Sequence, residues 1–226
     1  MSESKALMPR LPTDPNKMLI CEIYQSIQGE GSEIGRPSIF VRVTGCPLRC
    51  KWCDEPRALR EGTVMTIDEI LEKVAAFPQR IVCLTGGEPL AHKQTGTLID
   101  RLARKGYGVQ LETNGAMPLD DVPRPAGLRI SMDIKCPSSG MHKRMRFENL
   151  KLLRGDEQVK FVIADRRDYL YSKEVMKTHG VPCEIVFQPE GGKDMLPLVS
   201  WVVADGLDAS VPPQLHKMIW GDKKGV

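Results

Sequence analysis

Three of the seven cysteines in this 226-residue chain fall within eight residues, in the run GCPLRCKWCD (45–54). Cys46, Cys50 and Cys53 have the spacing CxxxCxxC, and the nearest histidine in sequence is His92. A structural zinc site normally takes four ligands, with a further Cys or His close by. Thiolates in a tight loop also suit an iron–sulfur cluster. Three thiolates on a cubane leave one iron without a protein ligand. That open iron can bind a small molecule and pass an electron into it, so the missing fourth cysteine makes room for a substrate or cofactor. Two other readings stay open at this point: a zinc site completed by a distant residue, and cysteines that are merely packed. Cys21, Cys83 and Cys183 lie in strand-like runs and read as buried apolar residues. Cys136 follows Lys135 and is not counted as a ligand.

Such a loop needs a scaffold, and the chain alternates short β-like runs with helical ones. The strands are expected at 19–24, 38–44, 80–85, 107–113, 128–134, 158–163 and 183–189. Helices are expected at 66–77, 95–106, 146–154, 166–179 and 193–204. The first of these is capped by Thr66 with Glu69 three residues on, and the second is closed by a glycine. Strands alternating with helices predict an α/β fold on a parallel sheet. Ligands then bind beyond the carboxyl ends of the strands. The suggestive residues fall there: the cysteine loop after 38–44, Gly86-Gly87 after 80–85, Asn114-Gly115 after 107–113, Lys135 after 128–134 and Gln188-Pro189 at the end of 183–189.

Composition bounds the rest. Hydrophobic residues make up 41% and charged residues 27%, with a net charge of +3. These values are ordinary for a globular protein and carry no signature of a nucleic-acid or membrane binder. No segment approaches the roughly 18 apolar residues of a membrane span, and the N-terminus has no apolar signal core. A cytoplasmic, reducing location follows, where an odd number of cysteines reads as ligands and core residues rather than disulfides. Residues 1–17, polar and with three prolines, are expected to be a flexible arm, and 18–226 a single domain.

The cysteine loop resembles that of the radical S-adenosylmethionine (SAM) superfamily, and TGGEP (85–89), some thirty residues on and behind a strand, resembles its second landmark. Within the superfamily the chain is similar to the 7-carboxy-7-deazaguanine synthase family from about residue 18 to its end. The likeness is carried by YQSIQGEGSEIGRPSIFVRVTGCPLRCKWCDE (24–55), LETNG (111–115), DIKCPSSGM (133–141), QVKFVI (158–163), FQP (187–189) and PQLHKMIWGDKKGV (213–226). The resemblance implies an incomplete (β/α) barrel, usually in a homodimer. It implies a [4Fe–4S] cluster, SAM used catalytically, Mg²⁺, and an electron donor such as flavodoxin or ferredoxin. The implied reaction is a carbon–nitrogen lyase step. Hydrogen is removed from C6 of 6-carboxy-5,6,7,8-tetrahydropterin, the ring contracts and ammonia leaves. The product, 7-carboxy-7-deazaguanine, leads to the queuosine or archaeosine of tRNA.

The same resemblance implies roles. Cys46, Cys50 and Cys53 would ligate the cluster. Gly86, Gly87 and Glu88 would meet the methionine end of SAM, whose ammonium group glycines let backbone carbonyls approach. Asp133, Ile134 and Lys135 match a second SAM-contacting segment, the alternative for Asp133 and Lys135 being an ion pair at a strand end. Phe187, Gln188 and Pro189 would reach the adenosine. Ile27, Gln28, Gly29, Glu30 and Thr85 match substrate contacts. Arg42 matches the arginine that pairs with the pterin carboxylate, through a fork lysine cannot copy. Gln214, His216 and Lys217 belong to a closing segment. The family usually has Ser or Thr where this chain has Glu55, and that hydroxyl contacts Mg²⁺. A carboxylate is also a hard ligand, so Glu55 is expected to reach the ion, unless it pairs with Lys51 or Arg57. Two competing functions are a glycyl-radical activating enzyme, against which the QGEG loop, Arg42 and the QLHKMIWG ending speak, and a zinc-stabilised interaction module, which a brown colour of the anaerobically purified protein would exclude.

Overall fold

The structure, a computed structural model, describes residues 8–192, 194–221, 223, 225 and 226. Eight strands form one sheet: β1 (Lys17–Ile27), β2 (Pro37–Val43), β3 (Thr63–Thr66), β4 (Ile81–Gly86), β5 (Gly108–Thr113), β6 (Leu128–Ile134), β7 (Gln158–Ile163) and β8 (Glu184–Pro189). Their order is β3-β1-β2-β4-β5-β6-β7-β8, with β3 and β8 at the two open ends. From β2 to β8 all pairs are parallel, while β1 runs antiparallel to β2 and β3. This is the expected α/β architecture, an incomplete and mostly parallel barrel.

The register sorts the two faces. Arg42 lies beside Thr85, Cys83 beside Gln110, Glu112 beside Ser131, and Asp133 beside Lys160. Glu22 joins this row opposite Arg42. The alternate residues are aliphatic and fully or nearly buried, among them Val41, Val82, Leu84, Val109, Leu111, Met132, Ile134 and Val159. One face of the sheet is therefore polar and the other apolar, by the two-residue period of a strand.

Helices α1 (Ile67–Ala75), α2 (Thr95–Arg104), α3 (Arg166–His179), α4 (Leu196–Ala204) and α5 (Leu215–Trp220) follow or separate the strands. In α1, Thr66 Oγ1 accepts from Glu69 N and Glu69 Oε2 accepts from Thr66 N, a complete capping box. It buries Ile67, Ile70, Leu71 and Val74, spaced for one helix face. Each such side chain contributes about 1.5–3 kcal/mol of burial.

The structure differs from the sequence reading in four places. The helix expected at 146–154 is a 3₁₀ turn, Phe147–Leu152. Asn149 bridges to the loop after β5, donating to Met117 O and accepting from Leu119 N, which ties this segment down locally. The helix expected at 193–204 starts at Leu196, with Pro197 in its first turn, and residue 193 lies outside the described residues. The short edge strand β3 and the C-terminal α5 were not anticipated. Finally, of the arm expected at 1–17, residues 1–7 lie outside the described residues, and the remainder is held. Gln94 Nε2 donates to Pro12 O and Asp14 O at 3.2 and 2.6 Å, and Asn16 O accepts from Ile67 N. Among the described residues no helix is long and apolar enough to cross a membrane.

Candidate functional site

A cavity of about 270 Å³ opens at the carboxyl ends of the parallel strands. Cys46, Cys50 and Cys53 all line it. They are free thiols at three depths, buried, half-buried and exposed in that order. Their loop is fastened at its base, where Gly45 N donates to Ala58 O at 2.7 Å and Glu88 N donates to Gly45 O at 2.8 Å. Further along, Lys51 N donates to Ser139 O, in the loop after β6. Cys46 Sγ accepts from Leu48 N at 3.4 Å and from Asn114 Nδ2 at 3.3 Å. Burial pushes the Cys46 thiol up to about 11 and raises that of Cys50. Cys21, Cys83, Cys136 and Cys183 do not line the cavity. Cys136 is buried in the apolar core, Cys83 is buried on the polar face of the sheet with its Sγ 3.6 Å from Gln28 Nε2, and Cys21 and Cys183 are only half-buried.

Gly86 and Gly87 line the cavity, and the structure gives a packing reason for both. A Cβ on Gly86, at φ +130, would lie 2.3 Å from Val43 O, and one on Gly87 would lie 2.3 Å from Gly45 O. The β4 turn thus presses directly on the base of the cysteine loop. Glu88, expected at the methionine end of SAM, lies behind the cavity wall rather than on it. Its carboxylate is fully buried and taken by three donors, Leu90 N, Thr113 Oγ1 and Asn114 N. Burial pushes it up to about 7 against the pull of those bonds. It fixes the turn after β5.

Three polar groups surround the cavity. In the first, Lys160 bridges Glu30 Oε2 at 2.5 Å and Asp133 Oδ1 at 3.3 Å, and Lys135 pairs with Asp133 Oδ2 at 2.6 Å. Gln214 Nε2 donates to Glu30 Oε1 at 2.5 Å. Burial opposes charge on Glu30, but Lys160 outweighs it and holds the carboxyl down to about 2. Burial likewise opposes charge on Lys135 and Lys160, and the neighbouring carboxylates more than restore it, raising both. The ion pair named as the alternative for Asp133 and Lys135 is therefore present. Ile134 between them is fully buried in the core and does not line the cavity.

In the second group, Glu112 accepts from Gln28 Nε2 at 2.9 Å and from Thr85 Oγ1 at 2.8 Å. Gln28 also reaches Gln110 Oε1, and Gln28 Oε1 accepts from Glu30 N. Ile27 and Gly29 line the cavity beside them. A Cβ on Gly29 would meet His216, so the loop and the C-terminal segment touch there. In the third group, Arg42 donates from Nε to Glu22 at 2.8 Å and from Nη2 to Tyr24 at 2.9 Å. Arg57 touches Glu22 and forms a fork on Glu55, with both bonds at 2.8 Å. Glu55 lines the cavity, but as the partner of Arg57. The pairing with Arg57 that the sequence left open for Glu55 is present.

Phe187, Gln188 and Pro189 do not line this cavity. Phe187 is fully buried, packed on Phe161 and Tyr169. Gln188 is buried with Nε2 on Pro212 O. Pro189 lines a second cavity, of about 340 Å³, with Gly191, Gly192, Gln214 and Lys217. Lys217 and Gly221 border both cavities.

Sequence reasoning missed Glu22, Tyr24, Glu112 and Lys160 as site residues, and placed Asn114 at the site without giving it a role. For Glu112 and Lys160 a signal existed: a charged residue in a strand whose neighbours are aliphatic must point at something other than the core.

The residues present fit a cubane. Its three ligand thiolates each bind a different iron, which suits three thiols spread around one cavity. Among the described residues, no three His, Cys, Asp or Glu side chains draw together closely enough to hold a single metal ion.

Comparison with known proteins gives three results. A model of the radical SAM superfamily matches residues 40–154. The 7-carboxy-7-deazaguanine synthase of Koribacter versatilis is 40% identical over 228 residues, covering 92% of this chain and 100% of its own length. That of Chlorobaculum tepidum is 40% identical over 215 residues, covering 92% and 96%. The crystal structure of QueE from Escherichia coli has the same fold, with a TM-score of 0.72 over 87% of this chain and 94% of that one, at 23% identity.

Proposed function

This chain belongs to the 7-carboxy-7-deazaguanine synthase family of the radical SAM superfamily, and on that premise we propose how its residues divide the work. The enzyme is a radical SAM lyase that converts 6-carboxy-5,6,7,8-tetrahydropterin to 7-carboxy-7-deazaguanine with loss of ammonia, in queuosine-type biosynthesis. The observation that carries the assignment of the site is one cavity lined at once by the three thiols, the Lys160–Asp133–Lys135 ions and Arg42.

Cys46, Cys50 and Cys53 hold the [4Fe–4S] cluster. When bound, cluster and SAM together supply a one-electron cleavage that yields a carbon radical able to take hydrogen from the substrate. Asp133 and Lys135 offer a carboxylate and an ammonium beside the thiols, matched to the amino and carboxylate groups of an amino acid. Gly86 and Gly87 expose backbone at the same place. Pro189 and Lys217, at the second cavity, receive the nucleoside end. Gln28, Thr85 and Glu112 present a hydrogen-bonding edge to the pterin ring, with Ile27, Gly29 and Glu30 closing that side. Arg42 takes the pterin carboxylate. Two of its five N–H donors are used by Glu22 and Tyr24, and three remain for a second carboxylate. Anaerobic turnover of the pterin with SAM and a reductant tests the reading as a whole, and no 7-carboxy-7-deazaguanine under those conditions would refute it.

Arg42→Ala is expected to keep the cluster and pterin-independent SAM cleavage while kcat/KM for the pterin falls. Removing one partner of a buried charged pair typically costs about 2–5 kcal/mol, which is roughly 30-fold to 4,000-fold. Normal turnover in this variant would show that the pterin carboxylate lies elsewhere.

We propose Mg²⁺ as an activator bound chiefly through substrate and water, because both Glu55 oxygens face Arg57. A Mg²⁺ titration of turnover should then give the same half-activating concentration for Glu55→Gln as for the parent chain. A tenfold shift would instead make Glu55 a ligand. An external one-electron donor of the flavodoxin or ferredoxin class, a homodimer and a cytoplasmic location complete the proposal. Light scattering of the loaded enzyme reads the second of these, and a monomeric mass would end it.

A further inference from the structure

Asn114 follows the last residue of β5 and is 7% exposed. Its side chain is held in one orientation. Asn114 Oδ1 accepts from Ala116 N at 3.0 Å, which turns Nδ2 the other way, and Nδ2 donates to Cys46 Sγ at 3.3 Å. Its backbone is pinned by the Glu88 carboxylate, which accepts from Asn114 N at 2.7 Å. Glu88 in turn follows the Gly86-Gly87 turn that presses on the cysteine loop. The amide is thus aimed at the most buried of the three thiols by bonds at both its ends.

We propose that Asn114 is a positioning residue that raises the reduction potential of the cluster by donating its side-chain N–H to the Cys46 sulfur. The proposal rests on the reading that Cys46 is a cluster ligand. Taking up an electron makes the cluster and its ligand sulfurs more negative. A donor aimed at one sulfur stabilises that reduced form more than the oxidised one, and hydrogen bonds to sulfur are among the levers that set cluster potentials. In a buried site the effect is weakly screened. Leu48 N gives Cys46 a second such bond from the backbone, which side-chain substitution leaves in place.

The test is potentiometry of the reconstituted full-length enzyme, followed by EPR, in the parent chain, Asn114→Leu and Asn114→Asp. Asn114→Leu removes the donor. Asn114→Asp keeps an oxygen for Ala116 N but turns the donor into an acceptor. Iron content should stay at the parent value in both. The one-electron equilibrium should move at least tenfold toward the oxidised form in Asn114→Leu, about 59 mV lower, and further in Asn114→Asp. Equal midpoints in three fully loaded proteins would overturn the proposal. If the variants fail to load, the parent enzyme decides. The chain has three asparagines, at 16, 114 and 149, and only Asn114 lines the cavity. Selective asparagine ¹⁵N labelling should therefore change a nitrogen coupling to the reduced cluster in pulsed EPR, and no such coupling would overturn the proposal. Full loading of Cys46→Ala is a different failure, since it would remove Cys46 from the ligand set itself.

Discussion

Cys46→Ala, Cys50→Ala and Cys53→Ala are each expected to reduce iron from about four atoms per chain to a small fraction of that after anaerobic reconstitution. Turnover of the pterin should fall below detection, a loss of at least roughly a thousandfold, equivalent to about 4 kcal/mol. The reason is arithmetical as well as geometric. A cubane with one iron given to SAM has three irons for protein, and this loop has three thiols on the cavity. Losing one opens a second iron to water. Cys21→Ala and Cys183→Ala should load normally, because neither lines the cavity. Cys50→Ala and Cys53→Ala should leave the fold intact, since Cys53 is exposed and Cys50 half-buried, whereas Cys46 is buried in the core and its variant is checked for folding by circular dichroism. Iron and sulfide analysis with the visible absorption spectrum gives the answer. Full loading of Cys50→Ala would break the assignment.

Lys160→Met should have the largest effect on the fold itself. Lys160 is 6% exposed and sits between Glu30 and Asp133. Methionine keeps the length of the stem but leaves two carboxylates without their shared cation. Breaking a buried ion pair from one side costs about 3–5 kcal/mol. In denaturant melts at neutral pH, the unfolding midpoint should fall accordingly. The pH dependence follows from Glu30. Its carboxyl is held near 2 in the fold, below the ordinary 4.5. The group's folded pKa is depressed, so its stabilisation is fully present above about 4.5 and is lost as the pH falls from there toward 2. The gap between parent and variant should therefore narrow on acidification, from pH 7 to pH 3. An unchanged midpoint at pH 7, or a gap that widens in acid, would show that Lys160 does not carry this network. Because Asp133 is proposed to meet SAM, binding of SAM should weaken as well, measured by calorimetry on the loaded enzyme.

Much of this site could be read from residues in order. CxxxCxxC, the glycine turn behind a strand and the placement of loops after strands are all local patterns. So is the capping box that starts α1. Type and spacing were sufficient there because each pattern is satisfied within a few residues or by strand direction alone. The same reading assigned Glu88 and Ile134 to SAM and Phe187 to the adenosine, and all three turn out to be interior groups. Gly87 beside Glu88, and Asp133 and Lys135 on either side of Ile134, do line the cavity, whereas both neighbours of Phe187 are interior as well. In a strand, consecutive residues face opposite sides, and a segment-level resemblance does not say which side faces the ligand.

What sequence alone determined was the chemistry the protein carries: three thiols, an α/β scaffold, and loops gathered at one end of its strands. Tertiary structure alone decided which charges meet. Glu30 reaches Lys160 across 130 residues, Gln28 reaches Glu112 across 84, and Asn114 reaches Cys46 across 68. Of the two cations the sequence offered Glu55, the fold brings it Arg57. The physical reason lies in the range of the forces. Hydrophobic period and turn chemistry are settled locally. A buried charge or amide, in contrast, must find its partner wherever the sheet's register brings one within about 3 Å.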